Sequence, residues 1–285
     1  MIVIGRGSVQ QEECDVMGHM NMRHYVARVT DAIAWLLWGA GLPPSRGGFT
    51  LRDQHIRFLR EMAPGTPFTI LGGVVGPEPG GLRLVCEIRN SATEEPAATF
   101  VTIIKAEVPA DRLDALRAEV PAHAQPRGLS FAPPRALPDH DAARAMGLSE
   151  AYRGAVRADE CDRDGLMRPD GVIARVWDGV PNLRNRGIGL GVKQEGIGGA
   201  ALEYRLVHLE PLRAGQLVTV TSGLRALGEK TSTWTHLLHD GETGRPVAAA
   251  EAVGVAFDLK ARRAIAIPPA QRAALEALLV PGLGL

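Results

Sequence analysis

The chain has 285 residues, enough for two domains of ordinary size, and its 32 basic residues balance its 32 acidic residues. Nucleic-acid-binding proteins usually carry an excess of positive charge, so this balance argues against that class. Residues 1–6 lack the features of a signal peptide, and no apolar stretch is long enough to cross a bilayer. Three widely spaced cysteines predict a cytoplasmic protein without a disulfide framework or a metal site.

The sequence repeats itself. Residues 7–15 recur as residues 154–162 at an offset of about 147, and both segments contain Glu-Cys-Asp. Further matches follow in order along the chain while the offset grows, as loop insertions would cause. Ordered matches of this extent indicate two tandem copies of one unit, at residues 1–120 and 151–285. The Pro-rich residues 121–150 between them predict an extended linker.

The first copy predicts a strand at residues 8–12, a turn at Gly18 and then a helix that begins near Met22. Apolar residues recur three and four positions apart along that helix, which is typical of one buried stripe. The stripe consists of Tyr25, Val26, Val29, Ile33, Leu36, Leu37 and Ala40. The helix is expected to end at residues 39–41. Strands are predicted at residues 50–58, 67–75, 82–88 and 97–108.

The second copy predicts the same order of elements. A strand is expected at residues 155–159 and a turn at Gly165. Pro169 is placed at the first helical position, where proline is tolerated, and Pro181 is expected to end the helix early. Further strands are predicted at residues 201–209, 216–227, 231–239 and 247–259. A strand, a long helix and four strands indicate an α+β unit with an antiparallel sheet.

Residues 13–21, Glu-Cys-Asp-Val-Met-Gly-His-Met-Asn, carry the candidate chemistry. A carboxylate in the loop before a helix, here Asp15, can act as a nucleophile or as a general base for water. The free N–H groups of the first helical turn, Met22 or a neighbour, can polarise a carbonyl group. Alternatively, Asp15 only caps the helix or forms a turn. His19 is either an orienting residue or a base, and Asn21 either caps the helix or contacts the substrate.

This segment resembles the signature of hotdog thioesterases of the 4-hydroxybenzoyl-CoA thioesterase family. In that family an Asp lies three residues before a Gly, which is often followed by His, an apolar residue and Asn. Asp15 matches the family's catalytic Asp, His19 and Asn21 match the residues after Gly18, and Tyr25 matches an aromatic residue that often follows. The resemblance implies two tandem hotdog units, each a twisted antiparallel sheet wrapped around a central helix, that form an internal pseudo-dimer.

The resemblance also implies a thioesterase that hydrolyses an acyl-CoA or acyl carrier protein thioester, without a cofactor or metal. The alternatives are a non-catalytic acyl-CoA-binding protein and a hotdog hydratase or dehydratase, although the hydratase motif is not found. Neither nucleic acid nor a membrane is an expected partner. The chain is expected to act as a monomer, because a tandem chain equals one hotdog dimer, or as a homodimer of tandem chains.

The second copy departs from the motif. Asp162 matches the catalytic Asp, but Leu166 replaces the His and Arg168 replaces the Asn. Either this copy is degenerate and the first holds a single active site, which is the favoured interpretation, or both acids serve unlike sites between the copies. The pattern indicates no role for Glu13 or Glu160. Cys14 and Cys161 lie beside acidic residues and are interpreted as packing residues, and the Gly-rich residues 184–191 as a flexible loop.

Overall fold

The structure is a computed structural model that describes residues 1–42, 49–106, 108, 112–185 and 196–285. The chain divides into two compact units, Met1–Arg127 and Gly128–Leu285. The residues predicted as a linker contribute to both units and include a short helix that the composition did not indicate. Among the described helices, none is both long and apolar enough to span a membrane.

The first unit is one antiparallel sheet and one long helix. Its elements are β1 (Ile2–Ser8), α1 (Met22–Gly39), β2 (Thr50–Phe58), β3 (Pro67–Glu78), β4 (Gly81–Asn90) and β5 (Pro96–Lys105). The strands pair in the order β1-β3-β4-β5-β2, and every pair is antiparallel. The four predicted strands after the helix are confirmed, with shifts of up to three residues at their ends.

The helix α1 buries the stripe that its periodicity predicts. All seven predicted positions are buried, and the helix contacts β1, β3 and β4. Each large aliphatic side chain buried in this way stabilises the fold by about 1.5–3 kcal/mol. The helix ends at Gly39, where the N–H of the capping Ala40 donates to the carbonyls of Leu36 and Leu37. The hydrophobic period therefore positions the helix against the sheet.

The second unit repeats this architecture and adds peripheral elements. Its elements are α2 (His140–Ala145), β6 (Ser149–Ala155), α3 (Asp170–Asn185), β7 (Ile197–His208), β8 (Leu217–Leu227), β9 (Thr231–Asp240), β10 (Pro246–Asp258), β11 (Arg263–Ala264) and α4 (Pro269–Glu276). The main strands pair in the order β6-β8-β9-β10-β7, the same order as in the first unit. The short β11 pairs with β10, and α3 contacts β6, β8 and β10.

The β-bulges of the two sheets also correspond. The β1–β3 ladder shifts register between Val3 and Gly5, and the β6–β8 ladder shifts between Glu150 and Tyr152. The other bulges of the first unit likewise have counterparts in the second. Because bulges re-aim the side chains around them, shared bulges mean that equivalent residues face equivalent surroundings. The duplication inferred from the sequence therefore extends to local irregularities.

The predicted first strand of each copy is wrong in position. The strands end at Ser8 and Ala155, near where residues 8–12 and 155–159 were expected to begin one. After Ser8 the chain forms a 3₁₀ turn, Gln11–Glu13, in which the Glu13 carboxylate accepts the Gln10 N–H. Residues 8–12 therefore lie largely in this turn rather than in a strand.

Both proline predictions in the second helix need correction. Pro169 lies one residue before α3, and Pro181 lies inside the helix, which continues to Asn185. Pro181 lacks the N–H of one helical hydrogen bond. Contacts beyond the proline compensate, because Leu183 is buried and the Asn182 side chain donates to the Ala151 carbonyl of β6 at 2.8 Å. Tertiary packing thus carries the helix past the residue expected to end it.

Replacing Pro181 with alanine should stabilise the chain by about 1–2 kcal/mol, because alanine restores the missing donor and favours the helix interior. The gain is smaller than the full propensity difference because proline also restricts the unfolded chain. Urea unfolding followed by circular dichroism measures it. The matched control is Pro269→Ala at the first turn of α4, where proline is tolerated and no gain is expected. Equal gains in both variants would contradict this account.

Candidate active site

The residues of the motif form a tight loop directly before α1. The Asp15 N–H donates to the His19 carbonyl at 2.9 Å, and the Gly18 N–H donates to the Asp15 carbonyl at 3.0 Å. Gly18 has a φ of +79°, a conformation that glycine adopts without steric cost. A bridge between Cys14 and Met20 closes the base of the loop. The loop therefore presents residues 15–19 at its tip.

The Asp15 carboxylate is half-buried at this tip. Its Oδ1 accepts the Met17 N–H at 2.8 Å, which forms an Asx turn. Among the described residues, no other donor reaches this carboxylate. Asp15 thus forms a turn and does not cap the helix. These were the two structural roles that the sequence left open beside the catalytic one. The turn engages Oδ1 alone, so Oδ2 can meet a substrate or a water molecule.

Asn21 caps α1, as one interpretation of the sequence held. Its backbone is extended, and its side chain accepts the Arg23 N–H at 3.0 Å. Its carbonyl accepts the His24 N–H at 2.9 Å. The Met22 N–H, by contrast, has no hydrogen-bond partner among the described residues. The first N–H of the helix is therefore a free donor at the positive end of the helix dipole.

His19 interacts with a residue that the sequence did not single out. Its Nε2 lies 3.3 Å from Oε2 of Glu61, and both side chains are partly exposed. The segment that carries Glu61 lies against the loop, since the Met20 N–H donates to the Met62 carbonyl at 2.8 Å. No motif surrounds Glu61, and only the tertiary contact reveals it. The contact restricts the orientation of the His19 ring.

Tyr25 lies in the first helical turn and is buried. Burial raises its pKa, and the negative charges of Glu61 and Asp15 raise it further, although a hydrogen bond with the Met62 backbone lowers it. The side chain therefore stays protonated at neutral pH. Its ring packs edge-on against Phe58, with the ring centroids 5.6 Å apart. Tyr25 thus belongs to the buried core next to the loop.

The buried Glu13 fixes the loop to the helix. Its carboxylate accepts the Gln10 N–H and the Nε–H of Arg28 at 2.9 Å, and Nη2 of Arg28 lies 2.8 Å from Oε1 in an ion pair. Arg28 lies in the second turn of α1, so this ion pair joins the chain before the loop to the helix after it. The second unit has the same pair between Glu160 and Arg175. The sequence contains a signal for this ion pair, because the Glu and the Arg occur at equivalent positions in the two copies.

The second unit keeps the shape of the loop. The Asp162 N–H donates to the Leu166 carbonyl at 2.8 Å, and the Gly165 N–H donates to the Asp162 carbonyl at 3.1 Å. Oδ1 of Asp162 accepts two N–H groups, from Asp164 and Leu166, each at 2.9 Å. This side chain is exposed and holds its loop together through more hydrogen bonds than Asp15 does.

The second loop lacks the free donor. Pro169 occupies the position of Met22, and a proline has no N–H. Arg168, at the position of the capping Asn21, instead donates to the carbonyls of Asp159 and Cys161, at 3.0 and 3.1 Å. The scaffold is therefore common to both units, whereas the donor at the helix end belongs to the first.

The two loop cysteines are poor nucleophiles. Burial raises the pKa of Cys14, and the charges of Asp15 and Glu13 raise it further. Burial and the charge of Asp162 raise the pKa of Cys161 in the same way. These directions favour the thiol over the reactive thiolate. Of the Gly-rich segment predicted as a flexible loop, residues 186–191 lie outside the described residues.

Two units with the same strand order around one long helix define a tandem hotdog protein. The family model described as the thioesterase-like superfamily matches residues 9–121 and again residues 156–275. The chain belongs to this superfamily, and its function is that of a thioester hydrolase. The same model thus matches the chain twice, once in each of the two compact units.

Solved structures of tandem thioesterases share this fold. A protein assigned as an oleoyl thioesterase from Lactobacillus plantarum is 12% identical, covering 88% of this chain and 94% of that one, with a TM-score of 0.67. An acyl-ACP thioesterase from Bacteroides thetaiotaomicron is 9% identical, with coverages of 88% and 96% and a TM-score of 0.64. The 12:0-ACP thioesterase from Umbellularia californica is 11% identical, with coverages of 88% and 93% and a TM-score of 0.60. At these identities the likeness establishes the fold. No curated protein sequence matches the chain.

Replacing Arg175 with methionine should destabilise the second unit by about 3 kcal/mol, because it leaves the largely buried Glu160 without its partner. Hydrogen bonding to Arg175 lowers the pKa of Glu160. The stabilisation is therefore present above the ordinary glutamate value of 4.5 and is lost as the pH falls through the lowered pKa.

Urea unfolding at pH 7 and at pH 3 measures both effects. The control is Arg163→Met, whose side chain is 56% exposed and lies 3.7 Å from Asp164, and it should change the stability by less than about 1 kcal/mol. A loss at pH 7 that is no larger for Arg175→Met than for the control would contradict the anchoring role.

Proposed function

We propose that the first unit hydrolyses an acyl-CoA or acyl carrier protein thioester at the loop before α1, with Asp15 as the nucleophile or the general base. The observation that carries this proposal is the Met22 N–H at the helix end, which has no partner among the described residues. The Asp15 carboxylate in the adjoining loop accepts only one hydrogen bond from those residues. An attacking group, or a base that activates water, and an oxyanion donor are what the splitting of a thioester needs.

The helix end supplies the electrostatic part of the reaction. A thioester carbonyl oxygen that accepts the Met22 N–H gains negative charge as the carbonyl carbon is attacked. The donor and the positive end of the α1 dipole stabilise that charge. The Asn21 side chain keeps the neighbouring Arg23 N–H occupied, so Met22 is the donor that remains available.

Asp15 supplies the attacking group by one of two balanced routes. As a nucleophile, its carboxylate adds to the carbonyl carbon, the C–S bond breaks, and the thiolate leaves an acyl anhydride that water then hydrolyses. As a general base, it takes a proton from a water molecule whose oxygen attacks, and the thiolate leaves with the carboxylic acid as the second product. In either route His19, whose ring contacts Glu61, acts as an orienting residue of the site and not as the base.

Catalysis is proposed for the first unit alone. Asp162 accepts two backbone N–H groups, and the adjoining helix begins after Pro169, which offers no donor. A carbonyl placed at that helix end would lack the hydrogen bond that Met22 can provide. These differences favour one active site over the alternative of two unlike sites.

The proposed function includes both CoA and acyl carrier protein as the carrier of the acyl group. Two of the structurally similar proteins are named as thioesterases of acyl-ACP and of 12:0-ACP. Substrates on both carriers therefore belong in the test, with short, long, branched and aromatic acyl groups.

Replacing Asp15 with asparagine should lower the rate of thiol release by about 10²–10⁴-fold, because the amide can neither attack nor accept a proton. Asp162→Asn should lower it less than about threefold. Both variants are measured on the full substrate panel, with the three cysteines of the chain subtracted from the thiol signal. Equal losses in the two variants would reject the single site. Tight binding of acyl-CoA without turnover would support the non-catalytic alternative.

Replacing Met22 with proline should remove only the oxyanion donor, since the backbone of Asn21 is extended, as proline requires of the preceding residue. The second unit shows that the same loop accepts a proline there. We expect kcat to fall about 10²–10³-fold, while thermal unfolding changes little. The matched control, Met22→Ala, keeps the N–H and should retain nearly full activity. Similar activities for the two variants would exclude this N–H as the donor.

A further inference from the structure

The C-terminal half of α1 carries two exposed tryptophans on its outer face. Trp35 and Trp38 are 64% and 57% exposed, and their rings meet edge to face with the centroids 5.5 Å apart. Residues 32–39 of the helix include no charged residue. A helix segment that is apolar on every side is normally buried. The two tryptophans therefore indicate a contact surface on this half of the helix.

This half of α1 lies beside the beginning of β1. Arg28 stacks over the ring of Phe68, which pairs with Gly7 of β1. One helical turn later, a Cβ atom added to Gly5 would lie 3.3 Å from the Cβ of Ala32. The helix therefore advances toward the N-terminal end of β1, and its last two turns, with both tryptophans, reach the first residues of that strand.

The first residues of β1 form an exposed and apolar sheet edge. β1 is the terminal strand of its sheet, and among the described strands it pairs with β3 alone. Ile2 and Val3 are 45% and 49% exposed. Sheet edges are usually protected by charged or covering groups, because a bare edge offers its unpaired backbone N–H and C=O groups to another strand. The edge of β1 thus adds backbone hydrogen-bonding groups to the apolar surface of the tryptophans.

The second unit protects the equivalent edge. Polar residues there occupy the positions of the four exposed apolar ones, and they are Ser149, Glu150, Asn182 and Asn185. The Asn182 side chain donates to the carbonyl of Ala151, the residue at the bulge of β6. Among the described residues, no side chain donates to the carbonyl of Ile4, the residue at the corresponding bulge of β1. Because both edges contain the bulge, the difference between them lies in the side chains.

We propose that Ile2, Val3, Trp35 and Trp38, hereafter the tryptophan face, form the contact between two copies of this chain related by a two-fold axis. The exposed parts of the two tryptophans and of Ile2 amount to roughly 400 Å² per copy, about half of the ~800 Å² that each partner buries in a stable interface. Since a little more than half of such an interface is apolar, these side chains supply most of its apolar area.

A second copy fits the tryptophan face better than a charged partner does. The face carries no charged side chain, so a charged surface laid on it would lose its hydration without a compensating ion pair. A second copy presents an equally uncharged face. A two-fold axis also places the two β1 edges antiparallel, so that each supplies the hydrogen-bond partners that the other lacks. One symmetric contact therefore covers the tryptophans and pairs the strand edge.

Sedimentation equilibrium of the full chain tests this contact independently of catalysis. We expect a dimer of twice 30.4 kDa, with a dissociation constant of about 10 μM or below. Trp35→Asn combined with Trp38→Asn gives the first unit the residues of the second and should weaken association about 30-fold or more. The circular dichroism and unfolding midpoint of this double variant should stay near wild type, because both side chains are largely exposed. The matched control, Met146→Asn at an exposed methionine of the second unit, should associate as the wild type does.

Tryptophan fluorescence identifies the surface that forms the dimer. The chain has four tryptophans, and the double variant gives the emission of the other two for subtraction. The remaining emission, from Trp35 and Trp38, should shift to shorter wavelength and resist quenching by acrylamide as the dimer forms. A wild-type chain that stays monomeric up to about 100 μM, a dimer that the double variant retains, or dimerisation without this change in emission would each overturn the proposal. In the monomeric case, binding to phosphatidylcholine vesicles that the double variant loses would assign the face to a lipid surface instead.

Discussion

The ion pair between Glu13 and Arg28 is the constraint on which the candidate site depends. It joins the residues before the loop to the second turn of the helix, and so restricts movement of the loop relative to the helix end. The carboxylate at the loop tip and the free N–H at the helix end are useful only in a fixed relation, because catalysis of this kind requires preorganised donors. The recurrence of the pair as Glu160 and Arg175 keeps the second loop in the same shape.

A retained scaffold does not imply retained chemistry. Both loops have the same backbone hydrogen bonds, a glycine at the same turn and the same anchoring pair. They differ where a donor would meet the substrate, since the first helix begins with Met22 and the second follows Pro169. Proline is compatible with the backbone conformation there, but its nitrogen carries a ring carbon in place of the hydrogen atom. The proposed oxyanion donor is therefore a backbone group, and the two units differ in it without differing in the shape of the loop.

The two copies have diverged in complementary ways. The first unit keeps the motif and fills its sheet with aliphatic residues such as Leu51 and Ile104. The second departs from parts of the motif and has Ala201 and Gly254 at the positions of those two residues. After a duplication, each copy can change where the other already meets a requirement.

The sequence by itself determined the duplication, the buried stripe of α1, the strand order along the chain and the motif with its capping Asn21. These features follow from repeats, periodicity and local backbone chemistry, all of which are written in neighbouring residues. Only the tertiary structure decided the position of the first strand, the passage of α3 through Pro181 and the contact of Glu61 with His19. Each of these depends on groups far apart in the chain, such as Asn182 with Ala151, and their contact energies outweigh local propensity.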